Sequence, residues 1–470
     1  MKTLISNRYR KKKGNNRSIF YIRPFLTFKQ FHTEEGWFLN FLNPPLKLSK
    51  KNNFHQSFDR QFCVSEEQME NNQDLKFAFG WNKWNMSIIG LWPEPYSKKS
   101  HWETCKAVIV LLLLILFGTG PQTANLFFIW GDMELMTENL CSANIPGINV
   151  LLKMLFSWYH RDTFESIIKS SYDDWNAPKT KEEREAMINN AKVGRFISIL
   201  GSILTGTMMT MNISLRSFII ITCDKNETRA DHLAIYPGYF PYDIRKTSLC
   251  IFTNVGQAIA AYITTIAYTS IDTFIGILVI HICGQFEILK TKLERLMGDE
   301  GCGRDAEQIQ KELVWIVKRH EELNQSAAKI EECFNMLLLM QMLLGTTQLC
   351  FQGFIFFSIV LKNDSGVVGG QILYFILFVL FILVHIYIYC YIGEKLLVQN
   401  REMSNSAYES NWFNVPPSES KCLLFIMQRS HRPLCLTAGK FSTFSIELFS
   451  TILKTSMGYL SVLLTVASSD

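Results

Sequence analysis

The chain has 470 residues, of which 48% are apolar and 19% charged, and its net charge is +5 at neutral pH. Soluble domains carry about 25% charged residues, so this shortfall indicates surface that faces lipid, where charged side chains are costly. No basic patch alternates with aromatic residues, so the sequence lacks the pattern typical of nucleic-acid-binding proteins. The sequence contains no phosphate-binding loop, no nucleophile elbow, and no Cys and His residues at the spacing of metal ligands. No motif therefore predicts an enzyme or a cofactor site.

Two segments precede the first long apolar run. Residues 1–70 are basic and aperiodic, which predicts a disordered cytoplasmic arm. Residues 71–106 mix Trp with Lys, a composition typical of an amphipathic segment at the membrane interface. Residues 107–470 are expected to form an all-α membrane domain.

Seven stretches of this domain approach the roughly 20 mostly apolar residues that a membrane-spanning helix needs. In chain order, the predicted spans are 107–130, 140–159, 196–221, 250–289, 334–361, 372–392 and 444–467. Connections expected in the cytoplasm hold 21 Lys and Arg residues, and those expected outside hold 6. Because cytoplasmic loops favour Lys and Arg, the N-terminus is predicted inside and the C-terminus outside.

Spans four and five are expected to extend beyond lipid depth into the cytoplasm. Ile309, Leu313, Ile316 and Leu323 follow helical spacing outside the apolar run of span five. A solvated helical hairpin and a contact platform between subunits both fit this pattern. The persistence of the apolar stripe outside the membrane favours the platform.

A small-molecule pocket is expected between helices in the outer half of the bundle. The candidates at that depth in spans three, four and six are Met208, Met209, Asn212, Asn254, Ala258, Tyr262, Tyr374 and Phe378. For each of them, ordinary core packing is the competing interpretation.

Span seven has a polar face of small residues. Lys454, Gly458, Ser461 and Thr465 follow helical spacing on it. Because such a face does not favour lipid, it predicts either tight helix packing or the lining of a pore, and the sequence favours neither.

The connections expected outside hold two sequons and a pair of cysteines. Asn226 and Asn363 are candidate glycosylation sites. Cys223 and Cys250 flank one loop in an oxidising space, where a disulfide or two separate thiols would fit.

Several separated motifs resemble the insect odorant receptors, a seven-transmembrane chemoreceptor family. The most specific are Leu-Thr-Ala-Gly-Lys-Phe at 436–441 and Phe-Ser-Thr-Ile-Leu-Lys-Thr-Ser at 449–456. Further matches occur at 89–93, 272–274, 318–321, 389–396 and 407–412. The resemblance covers about residues 71–466.

This resemblance implies an odorant-gated, nonselective cation channel in the plasma membrane of olfactory sensory neuron dendrites. It implies a heterotetramer with a co-receptor subunit, a volatile organic ligand bound between the outer helices, and no cofactor. It also assigns span seven to the pore, which adds Val462 and Leu464 to the pore candidates Lys454, Gly458, Ser461 and Thr465. The chain lacks the co-receptor's long insert between spans four and five, so the resemblance implies an odorant-tuning subunit. The alternatives are a gustatory-type channel and a G-protein-coupled receptor with its N-terminus outside.

Overall fold

The computed structural model of the protein describes residues 72–96, 101–222, 233–297, 306–362, 368–414, 416–432 and 434–467. The predicted disordered arm at 1–70 lies outside these residues. Within them the helices α1 to α12 are, in order, Gln73–Ile88, His101–Leu113, Gly120–Phe128, Met133–Asn139, Ile145–Tyr159, Arg161–Asn176, Lys181–Thr222, Thr247–Met297, Ala306–Lys362, Val368–Glu409, Pro417–Ser430 and Ile446–Ala467. Two π-helical turns, Leu114–Thr119 and Leu140–Asn144, join α2 to α3 and α4 to α5, and a 3-10 turn covers Trp412–Asn414.

The seven predicted spans are all helical, which confirms an all-α membrane protein. Spans one to six lie in the six helices of the described chain that are long and apolar enough to cross a bilayer. They correspond to α2–α3, α4–α5, α7, α8, α9 and α10. Span seven is α12, which has 22 residues. Span one begins at His101, before the expected residue 107, because the polar residues that precede the apolar run continue the same helix.

Span one changes its hydrogen-bonding pattern at the expected Gly120-Pro121 position. The π-helical turn Leu114–Thr119 ends there and α3 begins. Pro121 has no N–H to donate to the helical ladder, and π turns are where a helix accommodates such a local change.

Spans four and five continue far beyond the thickness of a membrane, as predicted. Their helices have 51 and 57 residues, or about 76 and 86 Å at 1.5 Å per residue, against a hydrocarbon core of about 30 Å. In the extension, Leu313, Ile316 and Leu323 are buried within the subunit, and His320 packs edge-on against Phe286 of α8. The apolar stripe is therefore covered by this chain itself and does not by itself favour a platform between subunits.

The predicted interfacial segment contains α1, which packs on spans three and four. The side chain of Asn72 accepts hydrogen bonds from the backbone N–H groups of Asp74 and Leu75 at 3.1 and 3.2 Å and so begins the helix. Arg184 of α7 donates to both carboxylate oxygens of Asp74 at 2.6 and 2.9 Å, and this hydrogen-bonded pair lowers the pKa of Asp74. Trp84 faces outward. The position of this segment at a membrane interface stays a prediction.

The motif at 436–441 forms a short hairpin that joins span seven to span five. Thr437–Ala438 pairs antiparallel with Ser442–Thr443. The N–H of Gly439 donates to the carbonyl of Asn335 in α9 at 2.9 Å. Gly439 has a φ of +58°, and a Cβ at this position would lie 2.5 Å from Leu339. The backbone conformation therefore favours glycine, and a side chain at this position would also have to displace the terminal methyl of Leu339 in α9.

Candidate functional site

Packing differs between the two ends of span four. Near the loop Leu233–Lys246, the large side chains Ile251, Phe252 and Val255 are each more than half exposed. From Ala267 to Phe286, by contrast, almost every side chain is buried. We call the first region the loop end of the bundle and the second the packed half. Both cavities described below lie at the loop end, and the floor of one reaches Tyr268, at the start of the packed half.

The first cavity, which we call the deep cavity, lies between spans two to six and has a volume of about 50 Å³. Five of the eight predicted pocket residues line it: Met208, Met209, Asn212, Tyr374 and Phe378. The sequence missed the other lining residues, namely Ser142, Pro146, Thr205, Tyr236, Thr264, Thr265, Tyr268, Gln348 and Phe381. The walls are mostly apolar or aromatic with a few hydrogen-bonding groups, which is typical of a site for a small organic molecule.

A larger cavity of about 240 Å³, which we call the end cavity, lies closer to the ends of the helices. Its lining is more polar and includes Gln352 and Gln371. An ion pair between Arg216 and Glu138 also lines it. The pair leaves no net charge in the wall, and the cavity therefore suits a neutral polar group.

Ser142, Asn212 and Tyr374 line both cavities and so form a shared wall. Asn212 is 5% exposed. The amide oxygen of Asn212 has no hydrogen-bond partner among the described residues. An unpaired acceptor thus lies in a buried wall, where it is costly unless a donor arrives.

The loop Leu233–Lys246 closes the deep cavity through Tyr236. The Gln257 side chain accepts from the N–H of Tyr236 at 3.0 Å and donates to its carbonyl at 2.9 Å. The Tyr236 hydroxyl donates to the sulfur of Met209 at 3.3 Å. The available signal in the sequence was the apolar run Leu-Ala-Ile-Tyr at 233–236, followed by Pro-Gly, within an otherwise polar loop.

Three predicted pocket residues of span four do not line either cavity. Asn254 accepts from the N–H of Ile235 at 2.8 Å and donates to the carbonyl of Leu233 at 3.0 Å, so it holds the loop. Ala258 packs in a small apolar cluster beside the loop. Tyr262 is 40% exposed on the outside of the bundle. The predicted depth was suitable, but this face of the helix points away from the cavities.

The floor of the deep cavity touches a buried ion pair. The ring of Tyr268 lines the cavity and lies 3.6 Å from the ammonium of Lys153 in span two. Lys153 donates to Asp272 of span four at 2.5 Å, and both side chains are almost fully buried. His385 of span six lies 4.0 Å from the same carboxylate. A ligand that moves the Tyr268 ring would therefore act directly on the residues that join spans two, four and six.

The polar face of span seven is uncovered in the isolated subunit. Among the pore candidates, Lys454, Gly458, Ser461 and Val462 are exposed, whereas Ser456 on the opposite face is buried. The side chains of Leu464 and Thr465 lie outside the described part. A membrane-spanning face that carries a Lys is costly in contact with lipid and requires protein or water beside it.

The predicted loop modifications fall mostly on residues outside the described ranges. Asn226, Asn363 and Cys223 belong to this group. Cys250 is a buried free thiol, and its sulfur lies 3.8 Å from the carbonyl oxygen of Leu233. Across the described ranges, no group of three or more His, Cys, Asp and Glu side chains could hold a metal ion.

Comparison with known proteins places this geometry in context. Residues 132–457 match the family model described as 7tm odorant receptor. Odorant receptor 13a of Drosophila melanogaster is 26% identical over 408 residues, which cover 82% of this chain and 94% of that protein. Odorant receptor 9a of the same species is 24% identical, over 80% of this chain and 92% of that protein.

The same fold occurs in a solved structure. The insect olfactory receptor OR5 from Machilis hrabei matches with a TM-score of 0.71 at 15% identity, over 84% of this chain and 100% of that chain. Its complex with eugenol matches with a TM-score of 0.68 at 14% identity, over 83% and 100%.

Proposed function

We propose, since this chain belongs to the seven-transmembrane odorant receptor family of insects, that it is an odorant-tuning subunit of a ligand-gated, nonselective cation channel. The family consists of ligand-sensing receptors and channels, and the chain is a multi-pass membrane protein and not an enzyme. The channel would assemble as a heterotetramer with a co-receptor subunit in the plasma membrane of olfactory sensory neuron dendrites. The loop end would face outward, with the N-terminus inside.

The two adjoining cavities at the loop end are the observation that carries the proposal. Five predicted pocket residues meet in the wall of the deep cavity, which Tyr236 closes from the loop side. Its volume of about 50 Å³ is smaller than the roughly 150 Å³ that holds benzene in an apolar protein cavity. Odorant binding would therefore require side-chain movement, which the flexible thioethers of Met208 and Met209 permit.

The uncovered face of span seven supports a pore role for Lys454, Gly458, Ser461, Val462, Leu464 and Thr465. Four such faces around a central axis would surround a water-filled path and remove them from lipid. An odorant opens the channel only if it binds the open form more tightly than the closed form. Movement of Tyr268 at the cavity floor would produce this difference in affinity between the open and closed forms. The Tyr268 ring contacts Lys153, whose ion pair with Asp272 joins the spans.

Expression in oocytes with and without a co-receptor tests this function. We expect odorant-evoked cation current only when both subunits are present. Equal current from this chain alone would overturn the heteromer. An epitope tag at Met1 that antibodies reach on intact cells would instead favour the topology of a G-protein-coupled receptor.

A further inference from the structure

We propose, resting on the odorant-binding function above, that the end cavity is a separate binding site, which holds a neutral volatile molecule before the molecule passes Tyr374 into the deep cavity. The end cavity has a volume of about 240 Å³, and the deep cavity has about 50 Å³. An apolar cavity of roughly 150 Å³ holds benzene. A ring-sized molecule therefore fits the end cavity as it stands, whereas the deep cavity must first expand.

The two cavities also differ in the exposure of their walls. Most side chains that line the deep cavity are buried, among them Met208, Phe378 and Phe381. In the end cavity the buried residues are Asn212 and Gln352, and the other described lining residues remain partly exposed. A molecule from outside the subunit therefore reaches the end cavity with less movement of the protein than the deep cavity requires.

Two sides of the deep cavity are held closed by polar contacts. On the loop side, the side chain of Gln257 makes two hydrogen bonds to the backbone of Tyr236. At the floor, the hydroxyl of Tyr268 accepts a hydrogen bond from Gln341, and its ring lies 3.6 Å from the ammonium of Lys153. Entry through either side would break these contacts before the ligand makes its own.

The wall that the two cavities share offers a direct connection between them. Ser142, Asn212 and Tyr374 form this wall, and Tyr374 is its largest side chain. The Tyr374 ring is partly exposed, and it packs against Phe378 with the ring centroids 5.9 Å apart. A change of the Tyr374 side chain to another rotamer would join the end cavity to the deep cavity.

The lining of the end cavity determines which molecules it holds. Apolar side chains and two amides line it, namely Leu215, Ile219, Phe354, Phe375, Gln352 and Gln371. The charges of Arg216 and Glu138 neutralise each other in an ion pair, so an ion would find no excess charge to offset the cost of leaving water. The end cavity therefore suits a neutral molecule with a ring or a short chain and one polar group.

Cysteine modification of Ile219→Cys tests binding in the end cavity directly, because Ile219 lines this cavity and not the deep one. The full chain is expressed with a co-receptor and treated with benzyl methanethiosulfonate, which is neutral and ring-sized, or with its trimethylammonium-ethyl analogue. Mass spectrometry measures the modified fraction. Burial of a charge is costly, so we expect the neutral reagent to be favoured about tenfold more than in the control. Anisole, acetophenone or 1-hexanol should protect the thiol.

Ile221→Cys is the matched control, since Ile221 lies two positions further along α7 and is 81% exposed. Its thiol should show the solution reactivity of both reagents and no protection by volatiles, and the wild type gives the background from native cysteines. Equal reagent preference in the two variants, or no protection of Ile219→Cys by any of the three volatiles, would overturn the proposal. Ile355→Cys, in span five and on the same cavity, replaces Ile219→Cys if that variant does not fold.

The attached benzyl group then tests whether the end cavity lies on the path to the deep cavity. Currents evoked by rapid odorant steps are compared before and after modification of the same cells. An occupied path slows entry and exit by one factor, so the rise and decay should both slow about tenfold, while the half-maximal concentration stays within about twofold. Unchanged rates would contradict a role in entry. A raised half-maximal concentration without slower decay would make the end cavity the final site and would also contradict the proposal.

The two failures are distinguishable. If the chain reaches the cell surface with its co-receptor and no volatile of any class evokes current, the proposed odorant receptor function fails, and protection of Ile219→Cys still reports on the end cavity. If volatiles evoke current but neither protect Ile219→Cys nor act more slowly after its modification, the receptor function stands and the entry site fails. Surface biotinylation of each variant separates lost folding from lost binding.

Discussion

The loop end and the packed half of span four belong to one continuous helix and have opposite properties. In the packed half, from Ala267 to Phe286, side chains are buried on every side, and the buried charge of Asp272 is paired with Lys153. At the loop end, two cavities remain, and the amide oxygen of Asn212 has no hydrogen-bond partner in the described part of the chain. Tight packing stabilises one fold, whereas a ligand needs unfilled space and unpaired polar atoms. The difference teaches that stability and binding reside in different parts of the same helix bundle.

The largest effect is expected from breaking the buried ion pair of the packed half. Lys153→Met leaves the carboxylate of Asp272 buried without its partner, which should cost about 3–5 kcal/mol of stability. Thermal unfolding in lipid nanodiscs and surface expression would measure the loss. The double variant Lys153→Met/Asp272→Leu should recover most of it, because no unpaired charge remains. If Lys153→Met alone were as stable as the wild type, the packed half would not depend on this pair.

A smaller loss of stability is expected at the hairpin that joins span seven to span five. Gly439→Ala places a Cβ 2.5 Å from Leu339 in a backbone with a φ of +58°, which should cost about 1–3 kcal/mol. Gly206→Ala is the matched control, because a Cβ there meets nothing within 4 Å. The same unfolding assay should show no loss for the control. Equal unfolding temperatures for the two variants would show that the hairpin does not contribute to the stability of the fold.

At the loop end, the expected effects are on potency and not on stability. Tyr236→Ala opens the lid of the deep cavity and should raise the odorant concentration for half-maximal current about tenfold, or about 1.4 kcal/mol of binding. Tyr239→Ala is the control in the same loop, since its ring is half exposed and stacks on Phe128 away from the cavities. Unchanged potency in Tyr236→Ala would show that the lid plays no part in binding.

The smallest effect is expected at the uncovered face of span seven, which belongs to neither region. Lys454→Gln removes a positive charge from the proposed cation path and should raise single-channel conductance about twofold, with odorant potency unchanged. Lys311→Gln is the control, because Lys311 lies in the extension and pairs with Glu307 at the surface. A shift in potency without any change in conductance would place Lys454 outside the pore.

The sequence predicted the spans because each is a long apolar run between polar segments. Met208, Asn212 and Tyr374, three of the predicted pocket residues, line the deep cavity, and their contact with an odorant stays a prediction. The three candidates in span four line neither cavity. Asn254, Ala258 and Tyr262 share one helical face, and a helix that is apolar on most sides carries little signal to show which face meets a cavity.

Other features depend on contacts between distant parts of the chain. Lys153 reads as an interruption of span two until the fold brings it to Asp272, 119 positions away. The apolar stripe near Leu313 is a second example. Only the fold shows that this chain itself buries the stripe. Neither pairing follows from local spacing.

The most direct measurement is a cryo-EM structure of this chain with a co-receptor and an odorant that activates it. The account predicts ligand density at the loop end, in contact with Met208, Asn212 and Phe378, a movement at the floor of the deep cavity, and the same side-chain packing from Phe274 to Phe286 with and without the odorant. Density against the exposed face of Tyr262, or in the packed half with the two cavities empty, would contradict it.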